Sequence, residues 1–407
     1  MAPDDLSTRL RALLGAGADL GTAGSGGPIV RPRDEASCAL LLRTASLEGW
    51  RVRIQGAGTW MPPDGDADLA LSTTRLTALG PVSAADLVAT AQTGIRWETL
   101  RSGLADVGAW LAHDAPGGDR TLGSLLATGS AGPLRAGYGP LRDHVLGLTL
   151  ITGDGRVTRV GGRVVKNVAG YDVAKLAVGS FGAFGVITSV HLRLRTVPRA
   201  DVTLVASGRR DALIEAARLV LDAGISPASL ELVSPAAAGA DQWVLGVRLC
   251  GSEVEIAAER AGVQEASGLT FGERTGPAAA VFWSHILGGV APAPATVRLG
   301  ALPTSLEDAL DLVALHLDEP VRDWISVTVP AGAVRWSGHA TAGALTRFRA
   351  AAATREWPVT LERAPADIRA RVGVFGSYRE GAARLVGGLK AAFDPAGILV
   401  TSLGTEA

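Results

Sequence analysis

Charge is scarce in this chain. Of its 407 residues, 19% are Asp, Glu, Lys or Arg and the formal net charge is -1, so no global field draws it toward nucleic acid or anionic lipid. Only two cysteines occur, Cys38 and Cys250, far apart and with no CxxC or neighbouring histidine. That argues against a disulfide framework, a zinc site or a ligated iron–sulfur cluster, and buried free thiols are expected. No apolar run reaches the ~20 residues that span a bilayer. The opening MAPDDLSTRLRALLGAGADL starts acidic and reads as an amphipathic helix rather than a signal peptide, so the expected location is the cytoplasm. There is no GxxxxGK followed by Ser or Thr, which leaves nucleotide hydrolysis without support. Two glycine runs fail the dinucleotide fingerprint: GAGADLG follows a helix with its third glycine one place late, and GSFGAFG is spaced GxxGxxG.

What is present is a set of glycines that look placed. The length favours two domains, and 47% hydrophobic residues suffice for sizeable cores. In GGDRTLGSLLATGSAGP, Thr121 can cap a short helix, while Gly123, Ser124, Ala127, Gly129, Ser130, Ala131 and Gly132 keep side chains small. Small side chains and unpaired N–H groups let backbone lie against a flat or anionic ligand. In YGPLRDHVLGLTLITGDGRV, Leu148, Leu150 and Ile151 read as strand, Asp154-Gly155 as a hairpin turn, and Val157 and Val160 as the return. In VKNVAGYDVAKLAVGSFGAFGVITSVHLRLR, Asp172 can cap a helix through Val178, a loop spaced by Gly179, Gly182 and Gly185 follows, and Val190, Leu192 and Leu194 alternate as a strand. Upstream, Asp34 or Ser37 can start a helix through Leu47. RVRIQGAGTW delivers a strand into a turn of Gly56, Ala57, Gly58, Thr59 and Trp60, and a helix beginning near Trp97 carries Leu100, Leu104 and Val107 on one face. A GxGT turn can aim several N–H groups at a diphosphate, although an ordinary strand-to-loop turn is the better reading when it stands alone.

In order, TLGSLLATGSAGP, RDHVLG, ITGDGRV and VKNVAGYDVAKLAVGSFGAFGVIT resemble the FAD-binding domain of vanillyl-alcohol-oxidase-type (PCMH-type) flavoproteins. More narrowly, VKNVAGYD with the SGP-type and GSFGAFGV segments is similar to the FAD-binding E subunits of bacterial glycolate oxidases. The resemblance implies an α+β fold: a PCMH-type FAD-binding domain over residues 1–198, with subdomains of about 1–78 and 79–198, then a ferredoxin-like α+β cap over 199–380. A C-terminal segment, 381–407, would return to the FAD domain. It also implies a non-covalent FAD, since no histidine sits beside the GAGT turn, with Gly56 to Trp60 on the pyrophosphate. Thr121, Leu122, Gly123 and Ser124 would meet phosphates and ribose, Ala127, Thr128, Ser130 and Gly132 would lie beneath the isoalloxazine, and Val186 and Ile187 would use main chain to read the adenine. Arg142 and Asp143 would approach the flavin, against the competing reading of a solvated surface pair. Lys166, Tyr171, Asp172 and His113 are weaker candidates.

Past Pro198 the element order reads as two consecutive β-α-β-β-α-β units forming one antiparallel sheet with helices on one face. Relatives that oxidise D-2-hydroxy acids carry an HxGDGN segment in the cap, and nothing here matches it. His285, His316 and His339 stand singly, Arg335 and Arg371 are anion partners only by default, and no catalytic residue is assigned. The usual Asn-Pro-Gly of the tail is replaced by Ile398, Leu399, Val400, Thr401, Ser402 and Leu403. The implied role is an FAD-binding subunit of a glycolate oxidase complex, acting on a small 2-hydroxy acid beside a catalytic flavoprotein subunit and an iron–sulfur subunit. No metal of its own is expected, and peripheral membrane contact would come through the complex. The alternatives are an FAD scaffold or electron relay, and a free-standing FAD-linked D-2-hydroxy-acid dehydrogenase.

Overall fold

The computed structural model describes residues 3–15, 19–22, 27–60, 67–118, 120–163, 173–288, 294–317, 324–376 and 381–401. Asp34 starts the helix Glu35–Glu48 by accepting from the Ser37 N–H at 2.8 Å. That helix buries Cys38, Leu41, Leu42 and Ala45, a spacing of one helical face. It packs on a five-stranded sheet in the order Asp19–Thr22, Pro28–Arg31, Leu69–Ser72, Val52–Gln55, Leu399–Val400. All pairings but the first are parallel. Leu69–Ser72 is buried at every position, as a central parallel strand covered on both faces must be.

A second, antiparallel sheet runs Val88–Gln92, Val186–Arg193, Val145–Ile151, Val157–Gly161. Its core joins Leu148 and Leu150 to Leu100 and Leu104 of the helix Trp97–Ala105 and to Leu122, Leu125 and Leu126 of the helix Leu122–Thr128. Val107 does not share that face: the helix ends at Ala105, and Val107 is exposed. Cys250 is also less buried than expected, whereas Cys38 is fully enclosed.

The third sheet has eight antiparallel strands: Gly272–Thr275, Ala200–Gly208, Trp243–Gly251, Ser229–Val233, Trp324–Thr328, Ala333–Gly338, Ala295–Gly300, Val359–Arg363. Each half has the ferredoxin-like spatial order of fourth, first, third, second strand, and the halves join where Ser229–Val233 pairs with Trp324–Thr328. The strand Ala333–Gly338, not singled out from the sequence, completes the second half. Helices Arg210–Asp222, Glu253–Ser267, Leu306–His316 and Ala342–Ala353 bury Leu213, Val263, Leu310 and Phe348 in one core with the sheet. Glu231, Ser326, Thr328, Arg335 and Glu362 are buried polar groups of these strands, and Arg335 crosses to the first half of the chain by donating to the Ala131 carbonyl at 3.1 Å.

The helix Ala382–Phe393 returns the chain to the first two sheets. Phe393 stacks obliquely on Phe184 at 5.4 Å, and the Phe393 carbonyl accepts from the Gly153 N–H. Asp394, 2% exposed, then accepts from the N–H groups of Ile398 and Leu399 at 3.0 and 2.9 Å, which aims Leu399–Val400 at the edge of the first sheet. Replacing Asp394 with Ala strands two buried donors. The expected loss is about 2–4 kcal/mol, measured as a lower urea midpoint, with Asp394→Asn losing less because one acceptor survives.

Candidate functional site

The strand Val52–Gln55 runs out of the first sheet into the turn Gly56–Trp60, where it meets the helix Leu122–Thr128. Contact is as close as backbone permits, because a Cβ on Gly56 would collide with the Thr121 hydroxyl oxygen. Thr121 is fixed in that place because it caps the helix, its hydroxyl accepting from the Ser124 N–H at 3.2 Å. Ser72 fixes the turn from the other side, donating to the Gly56 carbonyl at 2.9 Å. Gly58 has φ +71, and its missing Cβ would meet only the Gln55 side-chain amide at 3.9 Å. The turn therefore faces open space.

That space is a cleft of about 870 Å³. Its walls are Arg53 to Trp60, Thr73, Gly123, Ser124, Ala127 and Thr128, the loop through Ser180, Phe181, Gly182 and Gly185 with Ile187, a cap segment between Ala366 and Val374, and Val400 and Thr401. The helix and the loop are laced together, with Gly179 and Phe181 N–H groups donating to the Leu126 and Ala127 carbonyls, each at 2.8 Å. Phe181 holds φ +52, a left-handed conformation that costs a bulky residue about 1–3 kcal/mol. Its ring stacks edge-on against Phe375 at 4.9 Å, and its carbonyl accepts from the Thr401 hydroxyl at 3.3 Å, so several contacts hold the strained geometry. From the cap, the helix Ala366–Val372 leans over the cleft, anchored by Arg349 donating to the carbonyls of Val372, Gly373 and Val374. It contributes buried Arg369 and exposed Arg371 to the lining.

Of the residues singled out from the sequence, Gly56, Ala57, Gly58, Thr59, Trp60, Gly123, Ser124, Ala127, Thr128 and Ile187 line this cleft together. The others sit behind it or away from it. Thr121 is the buried cap, and Leu122 and Val186 belong to hydrophobic cores. Ser130 is buried and accepts from Arg120 at 2.9 Å. Gly132 leaves room for Asp114 and Leu287, so its bareness serves packing between the two halves of the chain. Arg142 and Asp143 form an exposed ion pair at 3.7 Å on the turn Leu141–His144, with side chains 60% and 44% exposed, which is the solvated-pair reading. His113 is buried against Trp97, and its imidazole is pulled down to about 3 by burial and by His144 and Arg120; it is neutral at physiological pH. Lys166, Tyr171 and Asp172 lie outside the described residues. Arg371 reaches the cleft, whereas Arg335 is bound to Glu362 at 2.9 Å. The cap segment and Val400–Thr401 carried no local signal in the sequence.

One buried charge stands directly behind the wall. Arg120 is 0% exposed and packs over the Trp60 ring at 4.4 Å. Burial pulls its guanidinium down to about 9, Glu362 works to raise it and Arg335 to lower it, and it remains a cation at neutral pH. On the cap side, burial pushes Glu231 up to about 7, against hydrogen bonds from Ser326 and Thr328. Burial works to raise Glu362 too, but Arg335 and Arg298 outweigh it and hold it below the usual carboxylate range.

A model of the FAD binding domain matches residues 28–161. The glycolate oxidase subunit GlcE of Escherichia coli (strain K12) is 43% identical over 121 residues, 29% of this chain and 35% of that protein. The D-lactate dehydrogenase of Archaeoglobus fulgidus is 29% identical over 236 residues, 56% of this chain and 52% of that protein. The chain thus spans about a third to a half of the length of these curated relatives. Among solved structures, a carbohydrate oxidase from Microdochium nivale in complex with a substrate analogue superposes with a TM-score of 0.70 at 15% identity, covering 98% of this chain and 99% of that one, a likeness of fold. The cleft fits FAD on its own evidence. Its volume is within the ~300–1,000 Å³ of small-molecule sites, bare backbone at Gly56 and Gly58 faces it, and Ser124 adds a hydroxyl to its wall.

Two outcomes follow from this geometry. Gly58→Val imposes φ strain and a branched side chain on the open turn, so the purified variant should lose its visible flavin absorbance while circular dichroism stays unchanged. Gly268→Ala, at a similar φ of +65 in the cap with nothing near its Cβ, should retain flavin. Separately, Glu231 ionises in the unfolded chain near 4.5 but in the folded chain only near 7, so the folded state holds the extra proton between those values. Stability should therefore fall as pH rises through that window, by about 2–3 kcal/mol, and urea titrations of Glu231→Gln should show a flatter profile.

Proposed function

We propose that this chain, a PCMH-type FAD-binding flavoprotein of the FAD-linked oxidoreductase family, is the FAD-binding subunit of a complex that oxidises a small 2-hydroxy acid such as glycolate to glyoxylate. In this reading residues 1–198 form the FAD unit, 199–380 the cap, and 381–407 the return to the FAD unit. When bound, FAD supplies acceptance of the two electrons released by the substrate and their onward transfer. The chain's own residues do the holding. The Gly56–Trp60 turn presents main chain to the diphosphate, the Ser124 hydroxyl donates from the opposite wall, Ile187 offers main chain to the adenine, and the cap helix Ala366–Val372 covers the cleft.

The observation that carries this proposal is the convergence of Gly56–Trp60 and Gly123–Thr128 on one cleft. It is joined by the likeness to a protein named as a glycolate oxidase subunit, over 121 residues. A division of labour is favoured by the state of the cap arginines. A 2-hydroxy acid needs a cation for its carboxylate and a base for its hydroxyl proton. Arg335 and Arg298 both lie on Glu362, at 2.9 and 3.0 Å, and Arg248 lies on Asp201 at 2.6 Å. These three charges are engaged inside the protein, and Arg369 and Arg371 are cap cations that line the cleft; in this reading substrate oxidation falls to a separate catalytic flavoprotein subunit. The flavin of this chain then relays electrons toward an iron–sulfur subunit. At the membrane, any association would be peripheral and made through the complex; no helix among the described residues is long and apolar enough to cross a bilayer.

Anaerobic spectroscopy separates the readings. The purified chain should carry flavin that stays oxidised with glycolate or D-lactate, and should bleach when the catalytic partner is added with glycolate. Bleaching by either acid with the chain alone would instead establish a free-standing dehydrogenase. Absence of flavin after reconstitution would end the proposal.

A further inference from the structure

Arg120 differs from Arg335 and Arg248 in what its guanidinium meets. Arg335 and Arg248 each meet a carboxylate within 3 Å. Arg120, fully enclosed, meets neutral oxygens instead: Nε donates to Ser124 Oγ at 3.1 Å, Nη1 to the Pro116 carbonyl at 3.1 Å and Ser130 Oγ at 2.9 Å, and Nη2 to the Ser124 carbonyl at 3.0 Å, Ser124 Oγ at 2.9 Å and Thr128 Oγ1 at 2.7 Å. Hydrogen bonds satisfy its donors, but they do not cancel its charge. Glu362 acts on that charge only through space, and an anion brought closer to it in a low-dielectric wall recovers more of the cost of burying it.

The geometry also orients a donor. A serine hydroxyl has one hydrogen and two lone pairs. Ser124 Oγ accepts from both Nε and Nη2 of Arg120, so its lone pairs are engaged on the buried side. Ser124 lines the cleft, which leaves its hydrogen to point there. Thr128, also in the lining, accepts from Arg120 and donates to the Ser124 carbonyl at 2.7 Å, which stiffens the same turn. Trp60, on the facing turn, covers the guanidinium and so links the two walls through one cation.

We propose that Arg120 is a positioning residue for an anionic group of bound FAD, fixing the Ser124 hydroxyl as a donor into the cleft and supplying the buried counter-charge. The inference rests on the FAD reading above. The bound cofactor adds a nearer counter-charge to the distant one of Glu362, so removing Arg120 weakens the holo state more than the apo state.

The test is to titrate cofactor-free protein with FAD, following quenching of flavin fluorescence, and to measure urea midpoints with and without FAD. Wild type is compared with Arg120→Met, Arg120→Lys and Ser124→Ala. Arg120→Met should weaken FAD binding by about tenfold to a hundredfold, lower the cofactor-free midpoint less than the FAD-bound one, and so shrink the rise in midpoint that FAD produces. Arg120→Lys, which keeps the charge and loses the fork, should fall between wild type and Met. Ser124→Ala should weaken binding with the guanidinium intact. A cofactor-free midpoint that falls in parallel with affinity would make Arg120 a scaffold residue and overturn the proposal. So would Met or Ser124→Ala variants that bind FAD within twofold of wild type. Should Arg120→Met fail to fold, the Lys and Ser124→Ala variants decide by the same criterion. Wild type that binds no FAD would fail the cofactor reading itself, an outcome distinct from variants that match a binding wild type.

Discussion

The site depends on how near the backbone at Gly56 comes to the side chain of Thr121. Two stretches more than sixty residues apart in sequence are held at van der Waals distance because one has no Cβ and the other spends its hydroxyl on capping a helix. Any side chain at Gly56 would push the turn off the helix and open the wall between them. The cap hydrogen bond and the bare glycine are thus one device, a local helix signal used to set the spacing of a tertiary contact.

Around that contact the molecule spends stability on geometry. Phe181 stays in a left-handed conformation because a helix carbonyl, an aromatic ring from the cap and a threonine near the last strand all grip it. Arg120 is sealed in with its guanidinium against neutral oxygens and the Trp60 ring. The cap contributes more than a cover, since Arg349 pins three successive carbonyls of the segment that leans over the cleft. Cleft shape is therefore coupled to how the cap strands run out, and the two halves of the chain behave as parts of one binding surface.

Local chemistry made much of this legible in the sequence. Thr121 and Asp34 announced their helices as caps, Asp154-Gly155 announced a hairpin, and the glycines at 56, 58 and 123 marked where backbone approaches closely. Much of the order of cap elements was readable as well, but not the strands Gly272–Thr275 and Ala333–Gly338 or the helices Gly276–Gly288 and Ala366–Val372. Illegible were the roles that depend on distant partners. Gly132 looks like part of a ligand bed and in fact makes room for Asp114 and Leu287. Arg142 and Asp143 look poised beside a cofactor but stand in solvent. Arg120 gave no sign of its importance, because nothing in its neighbours reveals that it is sealed in without a carboxylate. The segment Ala366–Val374 reads as an ordinary short helix until tertiary contacts carry it to the cleft.

The pairing of Leu399 with Val52 carries a consequence for the order of assembly. During synthesis the strand Val52–Gln55 leaves the ribosome long before its neighbour exists, and its outer edge stays unpaired while the whole eight-stranded sheet is made. Such distant pairings close slowly, and an open strand edge invites association with other chains in the meantime. Val400 and Thr401 reach the cleft only when that edge is sealed. A nascent chain can thus hold a folded helix Leu122–Thr128 and a formed Gly56 turn yet have no finished pocket, since the wall is complete only once the last strand has paired.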